Sequence, residues 1–250
     1  TPLNKNLTTP LLYPSLDHMV VVTGGERTKR GLIDRDGLAA DRVAAFPIGL
    51  DVEYFRPASP DPNLRLELGV PQKELLVGLI SYLRTYKGHE YFIEAARQIL
   101  AKRADVTFII VGEGPEEQPI RKLIEDLGLS AQIRMLGFRD DLLNVFRSLD
   151  VFVIPSVEGD TIPQVLMQAL AMGLPVVSTT VGSIPDVVIE GETGFVVPPR
   201  DAPALADRTQ ALLADASLRA SMGVKGRALV EQSYSIDKML DRMETVYRGL

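Results

Sequence analysis

The sequence predicts an α/β domain built on a doubly wound parallel sheet. Two observations carry that prediction. Runs that are apolar along their whole length, such as Val106 to Val111 and Val151 to Ile154, recur through the chain, and strands of this kind are buried on both faces. Amphipathic helical stretches stand between them with short turns, the order of a parallel sheet covered by helices on each side.

Residues 1 to 18, rich in Thr, Pro, Asn and Leu without a period, read as loop. His18 to Val22 is a short apolar strand, Gly24-Gly25-Glu26 opens a basic helix that runs to about Asp36, and Arg42 to Phe46 is a second strand. Pro47 to Asp51 forms a turn. Phe55 to Pro62 places three prolines in polar surroundings and is the expected linker. Beyond it, Leu75 to Ile80, Val106 to Val111, Ile133 to Leu136, Val151 to Ile154 and Pro175 to Ser178 read as strands, with Phe195 to Val197 as a further one. His89 to Lys102, Glu116 to Leu127, Asp141 to Ser148 and Pro163 to Met172 are the helices between them. Three amphipathic helices close the chain, from Ala202 to Ala214, Leu218 to Gln232 and Ile236 to Tyr247.

The bulk numbers exclude several classes of function. A formal charge of −6 argues against a general affinity for nucleic acid, so an anion must be held by local groups. The absence of cysteine removes disulfides, thiolate metal sites and cysteine nucleophiles. His18 and His89 are the only histidines and neither has a partner at metal spacing, so neither a metal centre nor a histidine triad is expected. No apolar run is long enough to cross a bilayer.

Ligands of open parallel sheets bind at the carboxyl ends of the strands near a topological switch point. The loop Ser81 to Gly88 puts Arg84 and Lys87 just ahead of a helix. A guanidinium fork and a mobile ammonium beside a helix start suit a diphosphate, while two solvated charges are the plain alternative. Gly112-Glu113-Gly114-Pro115 lacks the third glycine and the downstream acid of a dinucleotide fingerprint, which disfavours an NAD-dependent oxidoreductase and leaves a tight turn. Gly137-Phe138-Arg139 holds the matching place after the next strand, where its backbone can meet the edge of a base or Phe138 can join the core.

The most informative stretch is Val151 to Pro198. A buried strand opens through an acidic loop containing Glu158 and Asp160 into a helix start, and a second strand follows. Free amides around Ile162, Pro163 and Gln164 suit an anion and an acid suits hydroxyls, so the two together fit a phosphorylated sugar. Paired acids also raise a glycosidase, and charge at a helix start is the structural alternative. Gln168 lies on the helix that follows.

Taken together these loops resemble the nucleotide-sugar domain of glycosyltransferase family 4, retaining enzymes of the GT-B fold. The resemblance rests on Arg42 to Pro57, Arg84 to Gly88, Val111-Gly112-Glu113-Gly114-Pro115 and Asp150 to Thr193, in the family's order. It implies the Rossmann-like, donor-binding half of a GT-B fold and a nucleotide diphosphate sugar donor, such as a UDP- or GDP-sugar, with no metal or other cofactor. Lys87 and Arg84 are implied to hold the diphosphate, although Tyr82 stands five residues before the lysine, where the family has its arginine. The family's two glutamates, eight positions apart, map onto Asp160 and Gln168, with Glu158 as the alternative to Asp160 if the loop carries two extra residues. The implied catalytic set is therefore Lys87, Arg84, Asp160 and Glu158. The implied donor-binding set is Tyr82, Gly112, Gly137, Phe138, Arg139, Ile162, Pro163, Gln164 and Gln168.

The resemblance divides the chain into a remnant of an acceptor domain with its crossover (1–56), the nucleotide-sugar domain (57–234) and a helix returning toward the first part (235–250). Apolar surface is then expected along Met19 to Val22 and Val43 to Phe46. The implied acceptor is a glycan, lipid or small molecule, with no nucleic acid partner. The implied location is the cytoplasm, with attachment at a membrane surface through the missing domain. A module that binds a nucleotide sugar without turnover is the alternative.

Overall fold

The computed structural model describes residues 19–21, 24–58 and 62–249. Expectations for residues 1–18, Val22 and the middle of the linker fall outside these. Strands β1 (Met19–Val21) and β2 (Val43–Ala45) pair in parallel, with Met19 opposite Val43, and helix α1 (Glu26–Asp36) connects them. The expected exposure of this part is only half found. Val20 is 41% exposed, but Val43 and Phe46 are 3% and 4% exposed. The reason is that α1 folds back on β2, with Leu32 buried as well.

The chain then runs alongside its own distal end. The Leu50 N–H donates to the Tyr234 carbonyl at 2.9 Å, and the Ile236 N–H donates to the Leu50 carbonyl at 3.1 Å. Arg227 fastens this crossing by donating to the carbonyls of Phe55 (2.9 Å), Val52 (3.3 Å) and Ala171 (2.7 Å).

Helix α2 (Pro62–Glu67) was not expected; the prolines read as linker. Its Leu64 and Arg65 are buried. The Arg65 guanidinium donates to the carbonyls of Glu74 (2.8 Å) and Ser148 (2.9 Å) and to Asp150 Oδ2 (2.9 Å), an oxygen that also accepts the Leu76 N–H at 2.8 Å. One partly buried ion pair thus pins α2 under the amino ends of two central strands.

The main sheet holds β3 (Leu75–Ile80), β4 (Val106–Val111), β5 (Ile133–Gly137), β6 (Val151–Ile154), β7 (Val176–Thr179) and β8 (Gly194–Val197). All pair in parallel in the order β5-β4-β3-β6-β7-β8. Helices α3 (His89–Leu100), α4 (Glu117–Asp126), α5 (Leu142–Ser148) and α6 (Gln164–Ala171) connect the strands, and α7 (Ala202–Ala214), α8 (Ala216–Ser233) and α9 (Ile236–Arg248) follow. This is the doubly wound, Rossmann-like α/β fold expected, with element ends shifted by a residue or two.

Side-chain alternation explains the unbroken apolar strands. Leu76 and Ile80, Ile109 and Val111, and Phe152 and Ile154 join the core on one face of the sheet. Val77 and Leu79, Phe108 and Ile110, and Val151 and Val153 join the core on the other. Each large apolar side chain removed from water in this way contributes about 1.5–3 kcal/mol.

Candidate functional site

Strands β3 and β6 are neighbours in the sheet although two strands, β4 and β5, lie between them in sequence. At such a switch point the connections leave in opposite directions and open a crevice at the carboxyl ends. The loops after β3 and β6 meet there backbone to backbone. Gly88 has φ +74°, and a Cβ on it would lie 2.0 Å from the Pro155 carbonyl oxygen, so both conformation and space require glycine. The Val157 N–H donates to the Tyr86 carbonyl at 2.8 Å, closing the seam.

This seam delivers Lys87 to Asp160. The Lys87 Nζ donates to Asp160 Oδ1 at 2.5 Å, and the two side chains are only 13% and 10% exposed. The Ser156 hydroxyl donates to Asp160 Oδ2, and the Thr179 hydroxyl donates to the Ser156 carbonyl at 2.6 Å. Gly182, with φ +56°, brings the β7 loop against the Asp160 carbonyl, where a Cβ would stand 1.8 Å away. Three loops therefore fix one carboxylate. Ser156, buried completely, and Thr179 were not picked out from sequence, because nothing local marks a serine or threonine as facing an acid on another loop.

Glu158 sits apart from this pair. Its side chain is largely exposed and its nearest cation is Arg200 at 3.9 Å. Arg84 is exposed, its guanidinium 5.2 Å from the ring centroid of Tyr82, which keeps it at the loop tip without an acid partner.

His89 is buried at the first turn of α3 and shapes the same loop from beneath. Its Nε2 lies 2.9 Å from the Ser81 hydroxyl, and the ring also bonds to the Arg84 backbone. Burial pushes its pKa down to about 4; the Arg84 carbonyl opposes this, and the charge of Lys87 adds to it. The imidazole is neutral at pH 7. In the unfolded chain it takes up a proton near 6.5, so the unfolded state binds more protons between the two values. Stability is therefore full above about pH 6.5 and falls by about 3 kcal/mol as the pH drops toward 4. Urea denaturation at pH 5 and pH 7.5 is expected to show this fall in the parent and a smaller one in His89→Gln; equal falls would show that His89 does not titrate in this way.

A cavity of ≈ 250 Å³ opens beside the loops after β3, β4 and β5, walled by Ile80, Tyr82, Gly112, Phe138, Arg139 and Val165 among others. Phe138 is exposed at its rim and is not core. Arg139 lines it with a guanidinium already committed to Asp141 (2.8 and 2.9 Å) and Glu67 (2.7 Å), which together hold its pKa above the usual arginine range. The Gly137 carbonyl accepts the Gly112 N–H at 2.8 Å, joining two of the expected residues below the cavity.

Helix α6 follows Pro163 with no side-chain cap; the Leu166 amide bonds the Pro163 carbonyl at 3.0 Å, and the Gln164 and Val165 amides are left to meet an anion. Ile162 is buried in the core and supplies backbone only. Gln164, Val165 and Gln168 share a partly exposed face of this helix, and Val165 reaches the cavity wall. The Gln168 Oε1 is buried without a hydrogen-bond partner. A buried acceptor without a partner is a place where a ligand hydroxyl fits.

On the far side of Asp160 a second cavity of ≈ 190 Å³ separates α1 from the β6 and β7 loops, with Arg27, Thr28, Arg35, Asp160 and Thr161 in its walls. Sequence reading saw α1 only as basic. Among the described residues no helix is long and apolar enough to cross a membrane.

A parallel sheet wound in both directions, with a lysine–carboxylate pair and an uncapped helix start at its switch point, defines a Rossmann-like α/β domain with a crevice at the carboxyl ends of its strands. Residues 61–229 match the family model described as glycosyl transferases group 1, and the chain belongs to that family. It is 34% identical over 216 residues to a GDP-mannose-dependent monoacylated alpha-(1-6)-phosphatidylinositol monomannoside mannosyltransferase of Corynebacterium glutamicum, covering 82% of this chain and 55% of that one. An N-acetyl-alpha-D-glucosaminyl L-malate synthase of Bacillus anthracis is 30% identical over 185 residues, covering 74% and 48%. The chain thus spans about half the length of these curated relatives. Among solved structures, Anabaena HepE in complex with UDP and glucose superposes with a TM-score of 0.87 at 23% identity, covering 98% of this chain and 66% of that one, a likeness of fold.

Proposed function

We propose that this chain is the donor-binding half of a retaining glycosyltransferase of family 4, which moves a sugar from a UDP- or GDP-sugar to a glycan, lipid or small-molecule acceptor. The observation that carries the reading is the buried Lys87–Asp160 pair at the switch point, next to an uncapped helix start. Lys87, Arg84 and the first amides of α6 meet the diphosphate, whose charge grows as the glycosidic bond breaks; donors set in place beforehand favour that state over the ground state. Asp160 faces the sugar, and the cavity at Phe138 takes the base. Gln168 takes a ribose hydroxyl on its orphaned oxygen. The reading calls for no metal. The division into 1–56, 57–234 and 235–250, and action in the cytoplasm at a membrane surface where the acceptor is a lipid, belong to the same proposal. It is supported by family membership, by the relatives' sugar-transfer names and by the UDP held in a structure of the same fold.

A thermal-shift screen against UDP, GDP, ADP and their sugars tests it, since a ligand that binds only the folded chain raises Tm. No shift with any of them sinks the reading. Half-length coverage favours a second possibility, donor binding without turnover by this chain alone. Transfer assays beside a full-length relative separate the two. Gln168→Ala is expected to weaken a ribonucleoside diphosphate several-fold more than its 2′-deoxy counterpart, about 1 kcal/mol for one hydrogen bond. Equal losses in calorimetry remove Gln168 from the ribose.

A further inference from the structure

We propose that His89 is a positioning residue for the diphosphate: its imidazole fixes the turn that carries Arg84 and Lys87, acting through the Arg84 carbonyl. The proposal rests on the donor reading above and adds to it a side chain that never touches the ligand. His89 is buried beneath the loop, 3% exposed.

One carbonyl joins the two cations. The Arg84 carbonyl accepts the Lys87 N–H at 3.0 Å and so opens the single helical turn Thr85–Lys87. The same residue's backbone bonds the His89 ring. Since Nε2 lies 2.9 Å from the Ser81 hydroxyl, the bond to the Arg84 carbonyl falls to Nδ1. A ring nitrogen that meets a carbonyl carries the proton, so Nε2 is the acceptor of the Ser81 hydroxyl. The imidazole is thus a strut between the end of β3 and the turn. A buried polar ring is costly unless its nitrogens are bonded, and here both bonds go to the loop that bears the cations.

The backbone on either side of the turn is fixed by other means. The Leu83 N–H donates to the Glu113 carbonyl at 2.8 Å, and the Leu83 carbonyl accepts the Glu116 N–H at 3.1 Å. Gly114 permits this approach, because a Cβ on it would stand 2.5 Å from the Leu83 carbonyl oxygen. The tight turn after β4 is therefore the floor of the cationic loop. At the far end Gly88 abuts Pro155, and Tyr86 is held through its carbonyl by Val157. Arg84 stands between these anchors and is held by His89. Long cationic side chains lose entropy when a ligand orders them, so a turn fixed beforehand spares the backbone's share of that cost.

The two bonds of the ring are separable by substitution. Asn places its amide nitrogen near the position of Nδ1 and Gln places its amide near Nε2, so His89→Asn keeps the bond to Arg84 and His89→Gln keeps the one to Ser81. Calorimetry with whichever of UDP or GDP raises Tm is expected to find His89→Asn within about twofold of the parent and His89→Gln weaker by about tenfold, the loss of one hydrogen bond. Each variant gives up one bond, so similar falls in Tm are expected, and a role in stability alone moves the two together. Amide hydrogen exchange reads the turn without ligand: the Lys87 N–H is expected to exchange at the parent rate in His89→Asn and about tenfold faster in His89→Gln. Equal nucleotide affinity in the two variants, or equal exchange at Lys87, overturns the proposal. If the parent binds no nucleotide, the donor reading falls, and exchange at Lys87 decides whether His89 holds the turn.

Discussion

Lys87→Ala is expected to weaken nucleoside diphosphate binding by about ten- to a hundredfold, the loss of one charge-assisted hydrogen bond at about 1.5–3 kcal/mol. The reason lies in both partners of the ion pair. Without a ligand, Asp160 occupies the ammonium at 2.5 Å; a diphosphate must share or displace that contact. Truncating Lys87 removes the cation and leaves a carboxylate whose remaining side-chain partner among the described residues is the Ser156 hydroxyl. Asp160→Asn does the reverse. It frees the ammonium, so binding of the diphosphate is expected to hold or tighten. Arg84→Ala should cost less than Lys87→Ala, because Arg84 is exposed and must be ordered on binding. Calorimetry with UDP or GDP decides the matter: a Lys87→Ala variant that binds as tightly as the parent takes the diphosphate away from this loop.

Arg65→Met is expected to destabilise the domain by about 3–5 kcal/mol, because it leaves Asp150 partly buried without its cation and several carbonyls without their donor. In a domain of this size that corresponds to a fall in Tm on the order of 10 °C. Adding Asp150→Asn to Arg65→Met should return part of the loss, since the stranded charge goes and the Leu76 N–H keeps an acceptor. If urea denaturation places Arg65→Met within about 1 kcal/mol of the parent, below any cost of a stranded buried charge, the ion pair is not what secures α2.

Most of the main sheet was legible because a strand buried on both faces writes itself as a continuous apolar run. Helix α2 was not. Six residues are too few to show a helical period, and Pro62 belongs at the start of a helix as readily as in a linker. The buried state of Val43 and Phe46 was also hidden, since it depends on how α1 folds back. The candidate site was legible loop by loop. Arg84 to Gly88 and the stretch around Asp160 each stood out, but Lys87 and Asp160 are 73 residues apart and are joined by strand order, with Gly88 as the tight contact. The guanidiniums of Arg27 and Arg35 carried no signal beyond charge, because the opposite wall of their cavity comes from residues 160–182.

The crossing of the chain at Leu50 and Ser235 has a mechanical consequence. The segment leaving the small sheet after β2 and the segment entering α9 run side by side here, hydrogen-bonded to each other in both directions. A single tether swivels freely, whereas a bonded pair resists torsion and yields only about the line perpendicular to itself. Gly49 tightens the junction, since a Cβ on it would sit 2.6 Å from the Ile236 Cα. Arg227 clamps the crossover at Val52 and Phe55. The junction is therefore braced from both segments, so a substitution at Gly49 or Arg227 is expected to be felt by both at once.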